Sequence, residues 1–304
     1  MIYVLQRLVQ GLLVLFGVTT IVFALTFLSG DPAVTLAPLN TTAEELELFR
    51  HRMGLDRPVP VQYVDFLTRA LQGDFGSSFR YHEPAMGVVL ERAPATLRLT
   101  AVAVLFSLLI SIPLGVLAAL HHDQAIDAIA RLLALIGQSV PSFLLGIVLI
   151  LVFAVGLHWL PSSGAVGWQS LILPGITVAG FSAAVLARVL RSSMLEVLGQ
   201  EYIRTAYAKG LRDRAVLLRH ALKNAALPFT TLLGLQVGFL LSGTVVAETV
   251  FSYPGMGRLA VEAISTKDVP VIQSFVTLTA AIVVVVNLLV DLAYRRLDPR
   301  IRLS

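Results

Sequence analysis

The feature that most limits what this chain can become is a series of long apolar runs separated by short charged stretches. Residues 8–29 (LVQGLLVLFGVTTIVFALTFLS) hold 22 residues without a charge, and one helical crossing of a bilayer takes roughly 20. Comparable runs predict further spans at residues 95–120, about Leu132 to Leu157, about Ile172 to Leu190, about Phe229 to Val250 and about Val271 to Ala293. Only 14% of the 304 residues are charged and 56% are hydrophobic, with a mean hydropathy of +0.81. So few polar side chains cannot clothe a surface facing water. The expected fold class is an all-α membrane protein of about six transmembrane helices.

The first run competes with a cleaved signal peptide, whose apolar core is shorter, about 7–15 residues, and is followed by a small-residue cleavage site. Here the run is long and ends in Gly30-Asp31-Pro32, so it reads as a retained anchor. The chain has no cysteine, which removes disulfides and thiolate metal sites. Its six histidines show no metal-helix spacing, and no metal site is expected. The net charge of +4 points to basic membrane-flanking loops rather than to nucleic acid.

Residues 30–95 are polar and hold nine acids against six Lys and Arg. Thr42 with Glu45 three positions on is a capping box that opens a short amphipathic helix. Gly54 is placed to end it, and a second short helix is expected from Val61 to Leu71. This segment reads either as a small extracytoplasmic subdomain over the mouth of the protein or as a solvated loop. Pro113 is expected to kink the second span near its end, and HHDQAIDAIAR reads as a short loop. The polar patch from Gln138 to Ser142 should turn away from lipid. Trp159 and Trp168 mark an interface. Glu248, Asp291 and Arg188 fall near span ends, where snorkelling accounts for them.

The segment from Glu201 to Pro228 carries six Lys or Arg and two acids between two apolar runs. With the loop around Arg131 and the Arg-rich tail (Arg295, Arg296, Arg300, Arg302), it gathers the basic surplus on one side. By the positive-inside rule that side is the cytoplasm, with both termini there. Tyr202 to Ala208 is expected as a short helix with Ile203, Ala206 and Tyr207 on one face and Arg204 on the other. Gly210 breaks it, and a second helix from Leu211 to Asn224 turns back to the membrane at Pro228. A helix-Gly-helix hinge of this kind serves either as a charged tether or as a docking surface for a soluble partner.

No phosphate-binding loop, zinc-protease motif or nucleophile elbow occurs in the sequence, so the chain is expected to bind no cofactor and catalyse nothing itself. A multi-span protein without a motor is then a passive pore or secondary transporter, or a subunit driven by another chain.

At this point the residues resemble a known family. YIRTAYAKGL followed by LRHALKNAALP is similar to the cytoplasmic coupling loop of binding-protein-dependent ABC importer permeases. On the family's spacing Gly210 stands at its glycine, and Arg204-Thr205-Ala206 stand where Glu-Ala-Ala is expected. His220 and Leu222 take the later Ile and Leu positions, and Lys223 replaces a Pro. Met53-Gly54-Leu55-Asp56, Gly73-Asp74-Phe75-Gly76, Trp159-Leu160-Pro161, Ile172-Leu173-Pro174, Glu248-Thr249-Val250-Phe251, Asp268-Val269-Pro270 and Asp298-Pro299-Arg300 resemble, in order, the first permease of dipeptide, oligopeptide, glutathione and nickel importers. The resemblance implies a type I importer permease fold. It also implies a second homologous permease, two ATPase subunits that hold ATP and Mg, and an extracytoplasmic binding protein that delivers cargo. The coupling contacts it implies are Tyr202, Arg204, Thr205, Ala206, Ala208, Lys209, Gly210, Leu211, His220 and Leu222. Di- or oligopeptides are the expected cargo, with nickel complexes or glutathione as alternatives.

Polar residues within apolar runs, Gln138, Ser139, Gln236, Ser242, Thr244 and Glu248, are candidates for the translocation path or for helix-to-helix hydrogen bonds. Gly234, Gly238 and Gly243 are expected to let helices pack closely. Pro254-Gly255-Met256-Gly257 reads as a tight turn lining the outer mouth. The organisation expected is a first helix (1–29), an extracytoplasmic subdomain (30–95), a permease core (96–293) with its coupling loop at 194–228, and a cytoplasmic tail (294–304).

Overall fold

The computed structural model describes residues 2–28, 33–34, 41–52 and 54–297. The Gly30-Asp31-Pro32 turn, Met53, the Asp298-Pro299-Arg300 stretch and Arg302 lie outside the described residues, as do the side chains of Asp291, Arg295 and Arg296. The chain divides into two compact units, residues 1–95 with 254–285, and residues 96–253 with 286–304.

In the first unit, α1 (Ile2–Leu28) carries the first apolar run. α2 (Ala43–Arg52) opens with the expected capping box. The Thr42 N–H donates to Glu45 Oε2 at 2.9 Å, and the Glu45 N–H donates to Thr42 Oγ1 at 3.3 Å. Past its end Gly54 takes φ +65°, and the Leu55 N–H returns to the Arg50 carbonyl at 2.9 Å, the left-handed closure that glycine permits. α3 (Val59–Ala70) follows Pro58 and sets Phe66 inward. Phe66 stacks with Phe23 of α1 at 5.3 Å and with Phe75 at 6.1 Å, while the Tyr63 and Thr20 hydroxyls share a 2.6 Å hydrogen bond. These contacts hold α3 against the anchor by aromatic packing.

α4 (Ala85–Leu120) begins ten residues ahead of the expected span. Its first turns pack with α10 (Met256–Ser265) and the start of α11 (Val269–Leu297), through Val88, Val89, Met256, Leu259 and Val271. Beneath them Ser78 Oγ donates to Asp268 Oδ2 at 2.5 Å. The helix runs on through Pro113.

The second unit is organised around α7 (Ile172–Leu198), reached through a 3-10 turn at Trp168–Leu171. Against it pack α5 (Ala125–Ser139), α6 (Ser142–Leu149) and the helix Asp213–Val250, here α9. Two glycines show how close these approaches are. A Cβ on Gly115 of α4 would lie 2.8 Å from the Ala187 carbonyl oxygen, and one on Gly137 of α5 would lie 2.9 Å from the Ala184 Cβ. Two of the three glycines expected to do this behave otherwise. Gly238 has open space beside it, and Gly243 has only an ordinary contact with Val178.

Four helices among the described residues are long and apolar enough to cross a membrane: α4, Trp168–Leu198, α9 and Val269–Val290. The third expected span is corrected, because it is not one rod. α5 and the α6 segment to Gly156 meet at 109°, and residues 125–131, expected as loop, are the first turns of α5. The break falls at Val140, whose ψ of 123° is the extended conformation that Pro141 imposes on its predecessor. α6 then widens into a π-helical turn at Ile150–Gly156. With α1, the count remains about six.

Candidate functional site: the α8 hinge

α8 (Glu201–Ala208) is short and two-faced. Ile203 is 2% exposed and Ala206 6%, and both enter a core made by Leu186, Leu190, Met194, Val216, Ala225 and Phe229. The expectation that Tyr207 shares this face is corrected. Tyr207 is 46% exposed: it stands one turn on from Ile203, on the side away from Ala206, and the core closes over Ile203 and Ala206 alone.

Everything else on α8 faces outward: Tyr202, Arg204, Thr205, Tyr207 and Ala208, followed by Lys209, Gly210 and Leu211. The chain turns where the Gly210 N–H donates to the Tyr207 carbonyl at 2.9 Å, with Gly210 at φ +78°. A Cβ there would meet nothing within 4 Å, so within this chain the glycine answers to backbone conformation and not to crowding.

The second helix differs from the expectation. It does not stop near Asn224 and turn at Pro228. It starts at Asp213, passes through a π-helical turn at Val216–Ala221, and continues as Leu222–Val250 with Pro228 inside. Tertiary packing of Val216, Ala221, Ala225 and Phe229 outweighs the break that proline favours. Asn224 ties the two helices, its Nδ2 donating to the Tyr202 hydroxyl at 3.1 Å and to the His220 carbonyl at 2.7 Å. His220 is half-buried and Leu222 packs on the core.

The polar candidates separate into two sets. Gln236, Thr244 and Glu248 are buried on one stripe of α9, at spacings of eight and four. Ser139 and Ser242 are exposed, and Gln138 is half-buried with its amide on the Ala134 carbonyl. Glu248 corrects the snorkelling expectation. It is fully buried, and Thr96 of α4 donates to its Oε1 at 2.6 Å. Of the expected outer turn, Pro254 and Gly255 precede α10, while Met256 and Gly257 are its first buried turn. The reason is that Met256 belongs to the apolar cluster with Val89 and Leu259, so it is a helix start, not a tight turn.

Sequence reasoning missed one feature. Asp127 is fully buried and grips Arg191 of α7 with both oxygens, at 2.6 and 2.7 Å. The Asp123 N–H also donates to its Oδ2, at 3.1 Å. The signal was an acid inside an apolar stretch opposite an arginine on another apolar stretch, 64 residues apart.

About six apolar spans, one of them broken, with an exposed basic helix hinge between α7 and α9, define an integral membrane protein. Residues 111–303 match the family described as "Binding-protein-dependent transport system inner membrane component", and residues 1–100 match its N-terminal part. Over 301 residues the chain is 41% identical to the glutathione transport system permease protein GsiC of Salmonella choleraesuis, covering 99% of this chain and 98% of the relative. It is 40% identical to the same-named protein of Escherichia coli K12 over the same spans. Among solved structures, a chain of the MetNI methionine ABC transporter in an inward-facing conformation aligns with TM-score 0.60 at 18% identity, over 70% of this chain and 97% of that one. An amino acid ABC transporter aligns with TM-score 0.51 at 17% identity, over 69% of this chain and 94% of that one. The chain belongs to the family of binding-protein-dependent transport system inner membrane components. It is a multi-pass permease subunit of an ABC importer in the bacterial inner membrane.

Proposed function

We propose that this permease imports short peptides, glutathione first among them, and that α8 and its Gly210 turn are where an ATPase subunit grips it. The observation that carries the cargo reading is the 41% identity to a glutathione transport permease across nearly the whole of both chains. Glutathione is itself a small peptide, so this reading sits inside the peptide expectation and leaves nickel complexes unsupported.

In this reading two homologous permeases pair around a path and an extracytoplasmic binding protein hands over cargo. Two ATPases that hold ATP and Mg move α8. The termini and α8 lie in the cytoplasm, which the basic surplus of Arg204, Lys209, Arg212, Arg214, Arg219 and Lys223 supports. The outward exposure of Tyr202, Arg204, Thr205, Lys209 and Leu211 supports docking, because a charged tether needs no buried anchors such as Ile203 and Ala206. The four-part organisation, with residues 30–95 as an extracytoplasmic cap and Pro254 to Gly257 at the outer mouth, follows from the same orientation. Ser139, Ser242 and Gln138 are exposed enough to line a path shared with a second chain. Gln236, Thr244 and Glu248 serve it by holding α9 in place.

The test is uptake of labelled glutathione into proteoliposomes that hold the chain with its accompanying subunits and binding protein. ATP-dependent uptake, competed by glutathione and weakly by ordinary dipeptides, is the expected result. Uptake without nucleotide overturns the driven-subunit reading. Competition by dipeptides alone moves the cargo to that class.

A further inference from the structure

A cavity of about 420 Å³ lies among α4, α5 and α7 within the second unit, inside the ~300–1,000 Å³ range of small-ligand sites. Its polar lining is unusual for a membrane bundle: Arg131, Arg188 and Arg191 with Ser192, set among four alanines and two leucines. The balance of charge around it is one-sided. Asp127 is the acid packed against these arginines, and its oxygens are already engaged by Arg191 and the Asp123 N–H. Arg131 reaches Asp127 only at 3.7 Å, with its side chain 56% exposed. The Asp123 carboxylate is 76% exposed and lies 3.1 Å from His122. Arg188 is exposed and makes no hydrogen bond or ion pair among the described residues.

The rim of the cavity is apolar. Leu135, which lines it, is 61% exposed, and Leu132 and Ile136 beside it on α5 are 56% and 48% exposed. An occupant must therefore present an anion to guanidinium groups and hydrocarbon to leucines. A polar peptide cargo satisfies the first demand and not the second, whereas a phospholipid satisfies both. Arginine binds phosphate through paired N–H groups, and basic pockets between spans suit anionic headgroups.

We propose that the Arg131–Arg188–Arg191 cavity holds the phosphate of an anionic phospholipid, with its acyl chains along the outer face of α5. The inference uses only the membrane location and the cavity, so it stands or falls separately from the cargo and ATPase readings.

The test is native mass spectrometry of the full-length chain, purified with whatever subunits accompany it, after incubation with phosphatidylglycerol or phosphatidylcholine in mixed micelles. Phosphatidylglycerol should be retained preferentially. Its retention should fall about fivefold for Arg188→Gln and again for Arg131→Gln, and persist in Arg188→Lys. Arg191 is left alone because its loss would strand Asp127. Equal retention of both lipids, or of phosphatidylglycerol by wild type and the double variant, overturns the proposal. So does retention of inorganic phosphate without lipid, or displacement of the lipid by glutathione, which would make the cavity a cargo site. If Arg188→Gln fails to fold, Arg131→Gln and Arg188→Lys carry the comparison.

Discussion

Thr96 of α4 gives its hydroxyl hydrogen to Oε1 of Glu248 on α9 at 2.6 Å, and both residues are buried. A carboxylate inside a membrane bundle is tolerated only with such partners. Removing the acceptor takes away this buried hydrogen bond, at a cost of about 1–3 kcal/mol. Glu248→Leu should therefore lower the thermal stability of the purified protein, and Glu248→Gln, which keeps an acceptor oxygen, should lower it less. Equal melting temperatures for Leu and wild type would show that the bond contributes nothing.

The pair of Asp127 and Arg191 makes a sharper case. Removing one member strands a buried charge, which typically costs about 3–5 kcal/mol, while replacing both with apolar residues of similar size is far milder. Arg191→Leu should express poorly or melt early, and Asp127→Leu combined with Arg191→Leu should recover much of the loss. A double variant worse than either single one would contradict this.

Gly210 separates backbone from contact. A side chain has room there, so any penalty within the chain comes from φ +78°, which asparagine tolerates better than valine. Gly210→Val should uncouple ATP hydrolysis from uptake without preventing insertion. Gly210→Asn should retain much of the coupling if strain alone matters. Full loss in the Asn variant would mean that a partner presses against this position, since the chain itself leaves it free.

Arg204 and Lys209 are exposed and make no ion pair among the described residues. Reversing both charges should leave expression and insertion intact and abolish cargo-stimulated ATPase activity in the reconstituted assembly. Wild-type activity in this variant would remove α8 from the docking interface.

The capping box of α2 gives a pH signature. Glu45 sits below the usual glutamate value because the Thr42 N–H, and then its hydroxyl, bond its ionised form. The sign follows from linkage: the box contributes above the unfolded glutamate range and fades as pH falls through the lowered value. Carbon-detected titration should find Glu45 below the usual glutamate value, and Thr42→Ala, which removes the hydroxyl bond but keeps the backbone N–H, should raise it only part of the way.

What the sequence made legible is what depends on local pattern. Apolar runs, the Thr42–Glu45 box, the Gly54 stop and the Gly210 turn each follow from residues within a few positions of one another, and the coupling-loop resemblance rests on a contiguous stretch. What stayed hidden depends on distant partners. Glu248 read as a snorkelling residue because its position near a helix end was visible and Thr96, 152 residues away, was not. Residues 125–131 read as a loop because Asp127 and Arg131 look like surface charges until Arg191 is brought beside them. The break at Val140 was written in its proline, but the run of apolar residues on either side favoured a continuous span. Pro228 erred in the opposite direction, since core packing carried the helix through it.

That last feature sets how the molecule handles force. Between Asp213 and Val250 there is one helical rod of 38 residues, roughly 57 Å long at 1.5 Å per residue. No slack loop separates the end that packs beneath Ile203 from the end that holds Glu248. Work done on the short helix cannot dissipate in a flexible joint. If a partner pushes on the short helix, the push reaches Glu248 as tilt or twist of the whole shaft, through the π-helical turn at Val216–Ala221 and past Pro228.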